Sequence, residues 1–402
     1  MIKSKIEKKK KYMVKNEYDI VVVGGGPAGS MAARYAAEQG VSVLLLEKDR
    51  DIGYPVRCAE AVSKKGIEEF IPSDDKFIAA KITKFSLTSP DGTEVVIPLE
   101  EEGYVLERRI FDYELAKTAA TAGVEILTRA YVHGLLFDQG IVSGVKFEYR
   151  GEEHQVKAKV VVGADGVESR VGRWAGLKTH IDFRDMECCS QVTASNIPVN
   201  DDTLYFYFGK DVAPNGYFWV FPKGNRTANI GLGVSGDTGR KNSALSYLNK
   251  FMELKYPNAP VLTSVAGGVP CSITLSEISA PGIILVGDAA RQVNPVSGGG
   301  IVTGMIGGMI GGRIAGESVK MNKPEHLLTY DKAWADRLGK RHEIFDRIKN
   351  GIYNFTDEKF NSIAKSIAKV PYEKRSLGNV FKTALINNPS LLIDVAKVFF
   401  NR

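Results

Sequence analysis

The sequence predicts a mixed α/β fold, with a Rossmann-like parallel sheet, an antiparallel sheet that interrupts it, and a C-terminal helical region. Three observations carry that prediction. Gly24, Gly26 and Gly29 form a G-x-G-x-x-G turn directly after the apolar run 18–23. Two later apolar runs, 160–162 and 283–286, also lead into glycine and an acid, at Gly163-Ala164-Asp165-Gly166 and at Gly287-Asp288. Between 179 and 274 the chain changes to short β-branched and aromatic runs separated by Pro, Asn and Gly, the punctuation of antiparallel strands.

The first turn has the physical signature of a nucleotide-binding β-α-β unit. Gly24 permits the strand-to-helix turn, Gly26 lets backbone amides approach a pyrophosphate, and Gly29 lets the helix lie close on the strand. A helix over 28–39 then points its positive end at the phosphates. The next strand, 41–46, ends at Glu47, an acceptor for a ribose 2′-OH that would repel a 2′-phosphate. By itself the unit does not separate FAD from NAD.

Further along, strands over 81–89 and 94–98 flank Pro90-Asp91-Gly92, 111–122 reads as a helix, and 124–127 reads as a strand of the parallel sheet. Runs 142–149 and 154–157 flank a second hairpin turn. The antiparallel sheet comprises 188–197, 203–208, 216–222 and 226–234, and a helix over 242–255 closes it. From 325 onward the pattern is helical. Its last stretch, 380–400, is amphipathic and reads as a helix packed on the body, a channel wall or an interfacial contact. The organisation is therefore a basic tail (1–16), a discontinuous dinucleotide-binding portion (17–178 and 275–324), an antiparallel substrate portion (179–274) and a helical region (325–402).

Composition narrows the function. The 402 residues are 44% apolar, as in an ordinary globular protein. Residues 1–16 hold seven lysines and one glutamate, which accounts for the whole net charge of +6. The neutral body is no nucleic-acid-binding surface. The tail suits attraction to an anionic membrane at about 1 kcal/mol per lysine, or it is an extension ahead of a start at Met13. Cys58, Cys188, Cys189 and Cys271 form no C-x-x-C pair, and the five histidines are scattered; no metal site is expected. A cytoplasmic location, with peripheral contact at the inner membrane face, fits. The stretch 298–316 carries small residues at Gly304, Gly308, Gly312 and Gly316 but is interrupted by Arg313, so it reads as a tightly packed buried helix rather than a span.

With the segments 106–112 (LERRIFD), 159–170 (KVVVGADGVESR) and 283–291 (IILVGDAAR), the chain resembles the flavoprotein hydroxylase superfamily of p-hydroxybenzoate hydroxylase-like fold. That resemblance implies FAD. The first glycine motif would hold its ADP half, Asp165-Gly166 would touch the cofactor, and Asp288 would meet the ribityl chain. The segments 53–60 (GYPVRCAE), 214–222 (PNGYFWVFP) and 295–301 (PVSGGGI) look narrower still. They are similar to the geranylgeranyl reductases, particularly the archaeal digeranylgeranylglycerophospholipid reductases, which saturate isoprenoid double bonds of membrane lipids. The cofactor contacts so implied are Gly24, Gly26, Ala28, Gly29, Glu47, Lys48, Arg57, Cys58, Ala59, Arg108, Ala130, Asp165, Gly166, Gly287, Asp288, Pro295, Gly298, Gly299, Gly300 and Ile301. Ala59 departs from the C-G-E triplet of many relatives, and its methyl narrows the flavin-facing loop.

Tyr217, Trp219 and Phe221 share one strand face at period two. Alone they read as a core layer; with the resemblance they read as the wall of a polyprenyl channel, and Tyr217 and Trp219 also as cation–π stabilisers of charge on a protonating alkene. Cys58 and Glu60 are the candidate proton donors. The electron donor stays open among NAD(P)H, ferredoxin or another reductant. Two other functions use the same scaffold: a flavin monooxygenase of an aromatic or isoprenoid substrate, and a non-catalytic isoprenoid-lipid carrier.

Overall fold

The computed structural model describes residues 15–238, 242–376, 378–380 and 382. Residues 1–14 of the basic tail and nearly all of the amphipathic stretch 380–400 lie outside the described residues.

The chain opens with β1 (Glu17–Val23), α1 (Pro27–Ala37) and β2 (Val43–Glu47). It continues through β3 (Ala61–Ser63), α2 (Lys64–Glu68), the hairpin β4 (Ile78–Thr88) and β5 (Glu94–Leu106), and α3 (Arg108–Thr121). Next come β6 (Glu125–Thr128), β7 (Ala130–Asp138), β8 (Ile141–Tyr149), β9 (Glu152–Gly163) and α4 (Arg170–Trp174). The middle of the chain is β10 (Met186–Ala194), β11 (Thr203–Tyr207), β12 (Tyr217–Pro222), β13 (Ala228–Ser235), α5 (Ala244–Lys255) and β14 (Val261–Pro270). It ends with β15 (Ser279–Ala280), β16 (Ile283–Leu285), α6 (Ile301–Met321), α7 (Thr329–Trp334), α8 (Lys340–Ile352) and α9 (Asp357–Ala368).

The first sheet has the order β15-β16-β9-β1-β2-β6, with β7 and β8 added beside β9. Strands β16, β9, β1, β2 and β6 run parallel, and their apolar runs are continuous because both faces are covered. On one face, α6 lies against α1 with backbone almost touching backbone. A Cβ on Gly308 would sit 2.2 Å from the Ala28 carbonyl oxygen, and one on Gly312 would sit 2.2 Å from that of Ala32. The small-residue series of the sequence is thus a packing seam that brings both helix N-termini to the same edge of the sheet.

The second sheet has the order β14-β10-β13-β12-β11-β4-β5-β3. It departs from expectation in two ways. Strands β4 and β5, read from sequence as part of the first portion, pair here, and β11 joins β4 in parallel rather than antiparallel sense. The two strands reach the sheet on separate passes of the chain, so no turn between them fixes an antiparallel sense. Its rear face buries Phe218, Val220, Ile230, Leu232 and Val234 against Leu248 and Phe251 of α5, with Phe218 and Phe251 stacked at 3.8 Å. Its front face looks toward the first sheet and toward α8 and α9, enclosing the site described next.

Candidate active site

The opening unit shows why glycine stands at each position of its turn. Gly24 has φ +108°, and a Cβ there would lie 2.3 Å from the Ala164 carbonyl oxygen; one on Gly29 would lie 2.0 Å from that of Gly24. A Cβ on Gly26 would meet nothing within 4 Å. Gly24 and Gly29 therefore serve packing, and Gly26 faces open space where a ligand can approach the backbone. Glu47 fixes the turn, its Oε2 accepting from the Gly25 amide at 2.7 Å and its Oε1 from the Asp49 amide at 2.8 Å.

Two cavities meet at this turn. The smaller, about 210 Å³, is lined by Gly26, Glu47, Asp49, Arg57, Arg108 and Asp112. The larger, about 840 Å³, begins at Gly26, Ala28 and Gly29, passes Gly287, Asp288, Pro295 and the run Gly298–Ile301, and continues under the second sheet. Both α1 and α6 point their N-termini into it, a setting that favours an anionic phosphate. An open Gly26, a carboxylate in the smaller cavity and two convergent helix N-termini fit the FAD expected from the sequence.

The loop before β3 is held by a buried ion cluster. Glu60 adopts φ +74°, and its Oε1 accepts from the Arg108 amide at 2.9 Å. Its Oε2 accepts from Lys223 Nζ at 2.8 Å and from Asn229 Nδ2 at 2.6 Å. Lys223 also reaches Glu107 at 2.8 Å and donates to the Leu106 carbonyl. This corrects the expectation that Glu60 is a proton donor, because both oxygens are engaged by donors of the fold. Its place is structural, and it satisfies the first amide of α3 from 48 residues upstream. That distant acceptor explains why α3 starts at Arg108 rather than at 111. Arg108 itself forms a bidentate pair with Asp112, at 2.6 and 2.7 Å.

On the front face of the second sheet, two rows of side chains flank a stripe without any. Tyr217, Trp219 and Phe221 of β12 form one row, and Glu187, Cys189 and Gln191 of β10 form the other. Between them β13 contributes Gly231 and Gly233, paired in register with Trp219 and Tyr217. A Cβ on Gly231 would lie 2.7 Å from the Trp219 ring, so glycine there is a condition of the indole's placement. Trp219 donates through Nε1 to Gln191 Oε1 at 3.0 Å, and Gln191 Nε2 donates to the Cys58 carbonyl at 2.9 Å. Tyr217 donates to the Ser297 carbonyl at 2.6 Å, tying the sheet to the segment before α6. Phe206 packs edge-on against Tyr217 and Phe221, and Phe85 packs against Phe206. With Leu99, Leu204, Phe355 and Phe360 these rings make the far half of the larger cavity apolar. The row is thus a cavity wall, with Trp219 and Phe221 at 7% and 4% exposure.

Burial shapes the titratable groups. It pushes the Asp288 carboxyl up to about 6, with Arg108 opposing, and raises the Cys58 thiol and the Tyr217 phenol. Cys58 Sγ accepts from the Glu60 amide at 3.2 Å; a buried thiol of raised pKa is a poor acid. Asp165 is also raised by burial. Its Oδ2 accepts from the Val171 amide at 3.0 Å, Oδ1 has no partner, and its neighbours Ala164 and Gly166, rather than its own side chain, line the larger cavity.

Of the residues expected from sequence, Arg57, Cys58, Ala59, Glu60 and Arg108 line the larger cavity along with the glycine segments. Lys48 is exposed and Ala130 is buried in the core of the first sheet; neither lines either cavity. Sequence reasoning missed Glu187, Gln191, Lys223, Asn229 and Tyr353. The period-two spacing of Glu187, Cys189 and Gln191 was the available signal for the first two. Among the described residues, no group of three His, Cys, Asp or Glu side chains could hold a metal ion, and no helix is long and apolar enough to cross a membrane.

Residues 185–269 match the model of the geranylgeranyl reductase catalytic domain, and residues 19–216 match that of FAD dependent oxidoreductases. The chain is similar to digeranylgeranylglycerophospholipid reductase 2 of Methanococcoides burtonii, with 41% identity over 96% of this chain and 97% of the relative. A solved geranylgeranyl bacteriochlorophyll reductase-like protein from Thermoplasma acidophilum superposes with TM-score 0.89 at 34% identity, covering 95% of this chain and 99% of that one. A flavin-dependent brominase, at TM-score 0.71 and 19% identity over 93% of this chain and 100% of that one, shares the fold alone.

Proposed function

The chain belongs to the geranylgeranyl reductase family of FAD-dependent oxidoreductases, and on that footing we propose that it saturates the isolated double bonds of geranylgeranyl chains in archaeal ether-lipid precursors. The observation that carries this reading is the continuity of the larger cavity, from the glycine turn and the N-terminus of α6 to the ring wall of Tyr217, Trp219, Phe221 and Phe206. A polyprenyl chain offers nothing polar to hydrogen-bond, so its site must be a surface of this kind.

Bound and reduced, FAD supplies the hydride. The protein's own residues do the rest. The two helix N-termini and the open Gly26 seat the phosphates, and Arg57 and Arg108 lie where the two cavities meet. The rings exclude water from the alkene. Trp219, locked by Gln191, presents a fixed π face to the positive charge that grows on the more substituted carbon as the bond is protonated, a contact worth about 2 kcal/mol when desolvated. The lysine-rich residues 1–16 support a peripheral contact with anionic lipid, where such a substrate resides.

Anaerobic incubation of the reduced FAD-loaded protein with a geranylgeranyl ether lipid, read by mass spectrometry, tests the function. Addition of two hydrogen atoms per double bond is expected. Oxygen-dependent incorporation of an oxygen atom would establish a monooxygenase instead, and an unaltered lipid that nevertheless binds would establish a carrier.

A further inference from the structure

Glu187 lies in β10, in the same row as Cys189 and Gln191, and lines the larger cavity. Its side chain is more than nine-tenths buried. Tyr353, at the end of α8, donates its hydroxyl to Glu187 Oε1, while Oε2 is buried with no hydrogen-bond partner. That free oxygen points at the glycine stripe, 3.4 Å from where a side chain on Gly233 would begin. Gly233 is the register partner of Tyr217, so the oxygen opens beside the aromatic wall.

The surroundings leave Oε2 without a cation. The nearby Lys349 is spent elsewhere, with Asp185 at 2.8 Å, Asp346 at 3.0 Å and the Cys271 carbonyl around its Nζ. The other titratable groups facing Glu187 are Tyr353 from α8, Asp237 after β13, Asp185 before β10, Cys188 and Cys189 of β10, Tyr217 of β12 and Cys271 after β14. An ionised oxygen with no donor in such a place is costly, and a protonated one is not. Burial accordingly pushes the Glu187 carboxyl up to about 7, poised for acid catalysis near neutrality.

We propose that Glu187 is the proton donor of the saturation reaction, with Tyr353 as the positioning residue that holds its other oxygen. The assignment rests on the reductase reading above. The π pair of the alkene forms a C–H bond with the proton of Glu187 Oε2, and the O–H pair stays on the carboxylate. The adjoining, more substituted carbon takes the hydride of the reduced cofactor, so one double bond gains one proton and one hydride. The carboxylate then recovers a proton from solvent.

The test compares wild type, Glu187→Gln and Tyr353→Phe as FAD-loaded proteins. Infrared difference spectra below neutrality should show a protonated carboxyl band in wild type that Glu187→Gln lacks. Glu187→Gln should bind FAD and lipid as wild type does, yet reduce the lipid about a hundredfold or more slowly. Tyr353 stabilises the anion, so Tyr353→Phe should move the alkaline limb of the pH–rate profile upward. That variant carries the test if Glu187→Gln does not fold. A wild type that saturates lipid beside an equally fast Glu187→Gln, an unmoved alkaline limb in Tyr353→Phe, or no carboxyl band assignable to Glu187 would overturn the assignment and leave the reductase reading intact. A wild type that saturates nothing would overturn both.

Discussion

Replacing Lys223 by Met and, separately, Glu60 by Gln perturbs the two sides of one buried ion pair, and the structure makes the outcomes unequal. Both side chains are almost wholly buried, at 8% and 5% exposure. Without Lys223, Glu60 retains only neutral donors, Asn229 Nδ2 and the Arg108 amide, around a nearly buried carboxylate at the edge of the larger cavity. Leaving one charge of a buried pair uncompensated costs about 3–5 kcal/mol. Without the Glu60 charge, Lys223 keeps Glu107 at 2.8 Å and the Leu106 carbonyl. The glutamine can still turn its oxygen toward Lys223 and Asn229, losing only the bond from the Arg108 amide, at about 1–3 kcal/mol. Urea unfolding should therefore rank Lys223→Met well below Glu60→Gln. The same loop carries Arg57, Cys58 and Ala59, so FAD affinity, read by flavin fluorescence, should fall in the same order. Equal losses, or a Lys223→Met cost under about 1 kcal/mol, would refute the reasoning that Glu60 is a structural anchor.

Other substitutions probe other parts of the molecule. Trp219→Leu should lower the rate of lipid reduction by roughly tenfold to thirtyfold through loss of its π face, with Trp219→Phe between; an unchanged rate at unchanged lipid binding would remove Trp219 from the chemistry. Gly24→Ala forces a side chain against the Ala164 carbonyl at positive φ, and should yield a protein that purifies without yellow colour. Gly312→Ala drives a methyl into the Ala32 carbonyl and should cost about 1–3 kcal/mol by prising α6 from α1, measured by the same unfolding. Glu187 is raised in the folded state from 4.5 to about 7, so the folded protein holds that proton more tightly than the unfolded chain. Its contribution to stability is full below about pH 4.5 and is lost as pH rises through 7, a swing on the order of 3 kcal/mol. The difference in unfolding free energy between wild type and Glu187→Gln across that range should show this slope, and a flat difference would contradict it.

The parts legible in the sequence were those whose cause is local. The β1-α1-β2 unit announces itself because three glycines and an acid must stand at fixed spacing. The small residues of α6 signal close packing because a repeat of four keeps them on one face. The Tyr217, Trp219 and Phe221 row follows from strand periodicity. What stayed hidden depends on partners distant in sequence. The start of α3 is set by Glu60, and Glu187 owes its raised carboxyl to burial beneath elements far along the chain, with one oxygen held by a tyrosine 166 residues away. Strand β14 was overlooked because Gly267 and Gly268 lower its β propensity; it is held by pairing with β10. The parallel pairing of β11 with β4 depends on which strands meet across two passes of the chain, which short-range patterning does not encode.

The central claim is that the redox edge of FAD opens onto an apolar chamber walled by the β12 rings and fitted to a prenyl chain. A crystal structure of the FAD-loaded protein with a saturated diphytanyl-type ether lipid tests it most directly. The account predicts density for one hydrocarbon tail running along Trp219, Phe221 and Phe206, with Glu187 Oε2 facing it across Gly233. A tail bound only on the outer surface, or a flavin ring sealed away from the β12 row, would contradict it.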